Sequence, residues 1–213
     1  MAHPHLIFLG APGSGKGTQA KKIVSELGYN HISTGDLLRG EVAKGTELGK
    51  RVEKIMKEGA LVDDQLVLEL LKANCDLDNS SYIFDGFPRN GDQAKMLDDE
   101  VLGSRKSLAI SFEMDTEKIV ERIINRRTAK GSGEIYNLIT RPPKVEGKCD
   151  VSGEDLIHRE DDKEDVVRNR LQIFENTIEP MLKYYDEKGI LVKVNADKDP
   201  AELFEDLKGL IAR

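Results

Sequence analysis

The stretch "HLIFLGAPGSGKGT", His5 to Thr18, constrains this chain more than any other. A short apolar run feeds straight into a loop with glycines at 10, 13, 15 and 17 around Lys16. Glycines let the backbone curl until successive N–H groups point inward. A helix that follows adds its positive N-terminal end, and a lysine in this place supplies a full charge within reach of the β- and γ-phosphates of a nucleotide. The stretch therefore predicts strand, phosphate loop and helix. It departs in one place from the general pattern GxxxxGK[ST]: Gly17 stands where a hydroxyl would bind Mg²⁺, and Thr18 comes one residue later. That difference, and the absence of an NKxD base-reading motif, argue against a switch GTPase.

Around this start, apolar runs alternate with amphipathic stretches. Strands are expected at His5–Gly10, His31–Thr34, Tyr82–Asp85, Leu108–Met114 and Leu191–Asn195. Most are continuously apolar, as when both faces of a parallel sheet are covered. Leu66, Leu70 and Leu71 follow a helical period with Asp63 or Asp64 as N-cap. Val167, Leu171, Phe174, Ile178, Leu182 and Tyr185 follow another, which Pro180 should bend or interrupt. "DPAELFEDLKGLIAR" reads as a helix capped by Asp199 with Pro200 in its first turn. The order predicts a parallel sheet wrapped by helices. Thr128 to Arg159, rich in Gly, Pro and polar residues, is too long for an ordinary connection and reads as an inserted flap of short strands and turns. The charged helical stretch from Asp36 to about Asn74 is a second candidate insertion.

The 213 residues carry a formal charge of -7. That balance argues against a general nucleic-acid or anionic-membrane binder, and no apolar run approaches the roughly 20 residues of a membrane helix. The N-terminal stretch does not read as a signal peptide. Cys75 and Cys149 lie far apart, and free thiols in a reducing cytoplasm are the simpler expectation.

Two further motifs fall at strand ends, where an open α/β sheet binds its ligands. "HISTGDLLR" brings Thr34, Gly35, Asp36 and Arg39; "YIFDGFPRNGDQ" brings Asp85, Gly86 and Arg89. Arginine grips phosphate oxygens in pairs, so two arginines beside an already sufficient phosphate loop suggest a second phosphate. Bland readings stand beside these: Asp36 as a helix cap, Arg39 as a solvated residue, Arg89 as a turn residue, Asp85 as loop order rather than a Mg²⁺ partner.

Taken together, "GAPGSGKGTQA", "HISTGDLLR", "GALVDDQLV", "DGFPRNGDQA" and "RPPKVEGKCDVSGEDLIHREDDKEDVVRNRL" resemble the adenylate kinase family in its long-lid form, over nearly the whole chain. The resemblance implies a P-loop NTPase-type five-stranded parallel sheet flanked by helices. It implies a core (1–33, 64–125, 163–213), a helical AMP-binding insertion (34–63) and a small β-rich lid (126–162). It implies reversible phosphoryl transfer from MgATP to AMP, giving two ADP, in a cytoplasmic monomer with no nucleic-acid or membrane partner. Gly13, Ser14, Gly15, Lys16, Gly17 and Thr18 would hold the ATP phosphates, with Arg122, Arg126 and Tyr136 also on the ATP side. Thr34, Arg39, Leu61, Val62, Val67, Gly86, Arg89 and Gln93 would meet AMP, Gln93 at the adenine edge, together with Arg159 and Arg170. Lys16, Arg39, Arg89, Arg122, Arg126, Arg159 and Arg170 would carry the chemistry, Asp85 would order the water shell of Mg²⁺, and Asp161 and Asp162 would make hinge or closure contacts.

A phosphate acceptor is already ionised near neutral pH, so no general base is needed, and the shared motifs contain none. His3, His5 and His31 are expected to be structural or exposed. Arg122 and Arg126 should share one helical face at i, i+4. Long-lid relatives often bind zinc through two CxxC pairs; here those positions read Ala129, Ser132, Cys149 and Ser152, which cannot supply the four S or N ligands of a structural zinc site. A metal-free flap with a Ser132–Ser152 hydrogen bond is the expectation. Competing readings are a relative using GTP as donor, one accepting UMP or CMP, and a nucleotide sensor without turnover.

Overall fold

The computed structural model describes residues 3–212. Strand β1 (His5–Gly10) sits at the centre of a five-stranded parallel sheet, next to β3 (Tyr82–Asp85) on one side and β4 (Ser107–Glu113) on the other; β2 (Asn30–Ser33) and β8 (Leu191–Asn195) are the edges. Alternation along β1 explains why it is apolar throughout. Ile7 and Leu9 face one core, with Phe84, Phe87, Leu68, Leu71 and Tyr185. Leu6 and Phe8 face the other, with Ile23, Phe112, Leu203 and Leu207. Helices α1 (Lys16–Leu27) and α8 (Pro200–Ile211) cover the second face. Helices α4 (Asp64–Lys72), α5 (Gly91–Leu97) and α7 (Glu164–Glu187) cover the first, while α6 (Thr116–Ile124) packs on α7 through Ile119, Val120, Ile123, Val167 and Leu171.

Between β2 and α4 lie α2 (Thr34–Ala43) and α3 (Glu47–Lys57). Gly49 lets these two helices touch backbone to backbone, since a Cβ there would lie 2.4 Å from the Glu41 carbonyl oxygen. Between α6 and α7 a separate three-stranded antiparallel sheet forms: β5 (Arg126–Ala129) in the middle, β6 (Ile135–Asn137) and β7 (Leu156–Ile157) beside it. This is the flap, and its own small core is Ala129, Tyr136 and Cys149.

The structure corrects several expectations. β2 runs from Asn30 to Ser33, because Thr34 already begins α2; β4 starts at Ser107 and stops at Glu113. Ser33, not Asp36, caps α2, its hydroxyl accepting from the Asp36 N–H at 3.3 Å. Asp63 caps α4 by accepting from Leu66 N–H at 3.0 Å, which leaves the Asp64 carboxylate for other work. Pro180 does not interrupt α7, which is continuous through it. A proline inside a helix costs roughly 3 kcal/mol; here Val167 and Leu171 on one side of it and Met181 and Tyr185 on the other are anchored in the cores. Arg122 and Arg126 do not share a helical face: α6 ends at Ile124 and Arg126 opens β5. Cys75 and Cys149, by contrast, are free thiols as expected.

Candidate active site

The ends of β1 and β3, the α2–α3 pair, the flap and the start of α7 surround one cleft of about 1020 Å³. Pockets for one small ligand run roughly 300–1,000 Å³, so this cleft is at the top of that range. Lining it are Gly13, Ser14, Gly15, Lys16, Gly17 and Thr18 from the loop and first turn of α1, Thr34, Arg39, Leu61, Val62 and Val67 from the helical pair and its exit, Asp85, Gly86, Arg89 and Gln93 after β3, and Arg122, Arg126, Tyr136, Arg159 and Arg170. The sequence motifs thus converge on one place. Of the four flap positions where zinc ligands would stand, only Ser132 reaches the cleft.

The loop leaves β1 at Gly10 and enters α1 at Gly15. Gly13 has φ +83°, and a Cβ there would strike Ile123 at 2.5 Å, so both conformation and packing demand glycine. Lys16 is folded back over the loop, its Nζ donating to the carbonyls of Gly10 and Ala11 at 2.8 Å each. Opposite stands Asp85, which contacts His31 (Nε2···Oδ2 3.4 Å). Gly86 has φ +83°, and a Cβ there would lie 2.7 Å from the Thr34 hydroxyl, so the β3 exit and the first turn of α2 meet with no room for a side chain.

The electrostatics are those of an anion site. Burial pulls Lys16 down to about 8, and the Arg89, Arg170 and Arg126 cations push the same way against Asp85. Burial, then the neighbouring Arg170 cation, brings Arg89 to about 10; burial, then Arg39 and Arg126, does the same to Arg159. Arg170 is also lowered, by burial first, although its Nη1 reaches the Asp161 carboxylate at 3.0 Å. Arg126 is the exception. Burial works against its charge, yet Asp162, 0% exposed, takes a two-pronged hydrogen bond from its Nε at 2.9 Å and its Nη2, and the net direction is up. Burial pushes the Asp85 carboxyl up, but the His31 contact and the Lys16 charge outweigh it and hold it low. Asp161 and Asp162 therefore fasten two arginines to the cleft. Arg39 pairs with Asp36 at 2.6 Å, and Arg122, at the mouth, lies 3.7 Å from Asp197.

A Mg²⁺ ion fits this donor set only in one manner. No group of three or more His, Cys, Asp or Glu side chains among the described residues could hold a metal by itself. One ionised carboxylate beside a phosphate loop suits an ion that takes its other ligands from phosphates and water.

In the flap, Ala129 is fully buried and offers no donor atom. Ser132 Oγ lies 3.8 Å from Cys149 Sγ. The expected Ser132–Ser152 bond is replaced by Glu154, whose carboxylate accepts from Gly131 N–H at 2.6 Å, Ser132 N–H at 2.9 Å and the Ser152 hydroxyl at 2.7 Å. Those donors hold Glu154 down to about 2. A carboxylate offers more acceptor sites than a hydroxyl and so outcompetes it for the turn's N–H groups. Tyr136 is 2% exposed; its hydroxyl accepts from Asp150 N–H at 2.8 Å, so its phenol belongs to the flap's core.

Sequence reasoning missed Glu154, the His31–Asp85 contact and Asp64. Their defining partners lie 22 to 54 residues away; the one local contact, from the Ser152 hydroxyl to Glu154, is not distinctive in a polar turn.

A central phosphate loop with a second group of arginines beyond β3, in one cleft of a doubly covered parallel sheet, defines a P-loop enzyme that handles phosphorylated nucleotides. The model of the family described as adenylate kinase matches residues 8–190. Among similar curated proteins, the adenylate kinase of Thermosipho africanus is 45% identical, over 98% of this chain and 100% of its own length. That of Petrotoga mobilis is 43% identical, over 97% and 96%, and that of Archaeoglobus fulgidus 41% identical, over 98% of both. The chain belongs to the adenylate kinase family, whose activity is reversible phosphoryl transfer between ATP and AMP, and it is an enzyme, a nucleoside monophosphate kinase.

Proposed function

We propose that this chain passes a phosphoryl group from MgATP to AMP by charge neutralisation and alignment, with the flap acting as a lid and no general base taking part. The observation that carries this reading is the crowding of cations along one cleft, where Lys16, Arg89, Arg159 and Arg170 are each lowered by burial and by neighbouring arginines. Cations confined together are relieved by a polyanion, and relieved most where negative charge spreads over the equatorial oxygens of a phosphoryl group in flight. Lys16 and the loop N–H groups take the donor's phosphates; Arg39 and Arg89 take the acceptor's; Arg126, Arg159 and Arg170 stand between; Arg122 and the Tyr136 segment flank the donor. Asp85 would hold the ATP-borne Mg²⁺ through water, and that ion supplies neutralisation of phosphate charge. Thr34, Leu61, Val62, Val67, Gly86 and Gln93 would receive AMP. The moving parts are residues 34–63 and 126–162 over the remaining core.

The same reading has the flap held without zinc, by Glu154 and the Tyr136–Cys149 core; stoichiometric zinc in untagged protein would overturn that part. A cytoplasmic monomer is proposed, consistent with no helix among the described residues being long and apolar enough to cross a membrane. The test is product analysis with MgATP plus AMP, UMP, CMP or GMP, repeated with GTP as donor. ADP formed from ATP and AMP, with little hydrolysis when AMP is omitted, is the expected result. Phosphate released without an acceptor would revive a hydrolase, and no turnover with any pair would leave a nucleotide sensor.

A further inference from the structure

Gln93 is 2% exposed and lines the cleft. Its amide is held at both ends. Oε1 accepts from the Arg89 backbone N–H at 2.7 Å, and Nε2 donates to the Asp64 carboxylate at 2.7 Å. A backbone N–H can only donate and an ionised carboxylate can only accept. The flipped amide would set N–H against N–H at one end and oxygen against oxygen at the other, so the network admits one orientation. Asn90 braces the arrangement: its Oδ1 accepts from Gln93 N–H at 2.8 Å and its Nδ2 lies 3.5 Å from Asp64 Oδ2. Asp64 itself does not line the cleft.

We infer that Asp64 is a positioning residue for base selection: by pinning Gln93 it sets which purine edge the acceptor site reads. The inference rests on the proposed placement of AMP against Gln93. The pinned amide keeps one Nε2 hydrogen and one Oε1 lone pair free, a donor beside an acceptor. A 6-aminopurine offers the complement, an N1 acceptor beside an exocyclic N–H donor. A 6-oxopurine offers the reverse, an N1–H donor beside an O6 acceptor, and meets a like group at each position. Only a flipped amide could serve it, and Asp64 opposes the flip. A site built to hydrogen-bond one pattern rejects its inverse strongly, because buried polar groups are otherwise left unpaired. Asp64 can do this because Asp63 takes the cap of α4, leaving the next carboxylate to reach across to α5.

Asp64→Asn tests the idea. The replacement has nearly the same shape, but its amide can rotate to accept from the native Gln93 or donate to a flipped one, so only the Arg89 N–H still opposes the flip. The readout is the ratio of kcat/KM for AMP to that for inosine monophosphate, with the KM for MgATP as internal reference. The expected result is a ratio about tenfold lower or more, made of poorer AMP and better inosine monophosphate, with thermal unfolding within a few degrees of the parent. Gln93→Ala is run in parallel. If Gln93→Ala collapses the ratio while Asp64→Asn leaves it unchanged, Gln93 reads the base without help and the role given to Asp64 is wrong. If Gln93→Ala also leaves the ratio unchanged, the AMP placement fails and the inference falls with it. Should Asp64→Asn not fold, Asp64→Ser removes the carboxylate without adding bulk, and the same ratio decides. A general loss of kcat for both acceptors at constant ratio would mark Asp64 as structural only and overturn the inference.

Discussion

At the scale of single residues, the site is a set of charges held where water alone would not favour them. Lys16 is the clearest: 9% exposed, and brought by burial to about 8. A lysine whose folded value is depressed keeps its proton in the unfolded chain up to about 10.5 but loses it in the folded chain above about 8. Between those values the unfolded state binds more protons, so stability of the nucleotide-free protein should rise with pH there. Saturating ATP should flatten that rise, since its phosphates hold the ammonium charged. Melting temperatures from pH 7 to 10.5, with and without ATP, check the sign. Lys16→Met should remove the rise and lower kcat by about 10²-fold or more, the scale seen when one preorganised charge is lost, while circular dichroism stays that of the folded chain. Glu154 titrates in the other direction. Its folded value is held at about 2, against an ordinary 4.5, so its contribution is present above about 4.5 and lost as pH falls toward 2. Glu154→Gln should make limited proteolysis of residues 130–155 faster at neutral pH and nearly independent of pH between 3 and 6. Unchanged proteolysis would show that the flap's turn does not depend on this carboxylate.

At the scale of elements, the flap meets the core at a contact made by exposed side chains. Lys21, on α1 just past the phosphate loop, donates to the Gly133 carbonyl at 2.8 Å and pairs with Glu134 at 3.1 Å. Exposed pairs contribute about 0.2–1 kcal/mol. If this contact stabilises the closed flap, Lys21→Ala should raise the KM for MgATP by at most about fivefold, with Glu134→Gln giving part of that change; a fall in the KM would show that the contact opposes binding. The legibility of the elements divides along the same physical line. Strands β1, β3 and β4 were readable from sequence because burial on both faces writes a mostly apolar run, whereas the edge strands β2 and β8, with only Ile32 and Val194 buried, carry a weaker signal; the phosphate loop was readable because glycine and lysine spacing is local. Cap identity at α2, passage of α7 through Pro180 and the end of α6 before Arg126 were not, since each depends on what packs against the element. The pairs Arg126–Asp162 and Gln93–Asp64 span 36 and 29 residues: the individual motifs are visible in the chain, but their partnerships exist only once the sheet has brought them together.

At the scale of the whole molecule, net negative charge coexists with a cationic cleft because the cations are gathered on one edge of the sheet under a separate cover. Charge and cover can be taken apart experimentally. β5 and β7 are paired at Thr128 with Ile157 and at Ala129 with Leu156, so residues 130–155 leave and return at neighbouring positions of one antiparallel pair. A two-residue Asn-Gly turn can close such a pair. The excised chain keeps Lys16, Arg39, Arg89, Arg122, Arg126, Arg159 and Arg170, and loses Tyr136 and the Gly133–Glu134 contact. If the arginines alone align the two nucleotides, transfer should survive with kcat within a few-fold of the parent. If water exclusion by the flap matters as proposed, transfer should fall by about 10²-fold or more while phosphate release from ATP without AMP rises relative to transfer. Partitioning of labelled γ-phosphate between ADP and free phosphate measures both at once. The expected outcome is the second, because the cleft's cations attract a polyphosphate whether or not water is present, and in the proposed reading it is the cover that keeps water from taking the phosphoryl group in place of AMP.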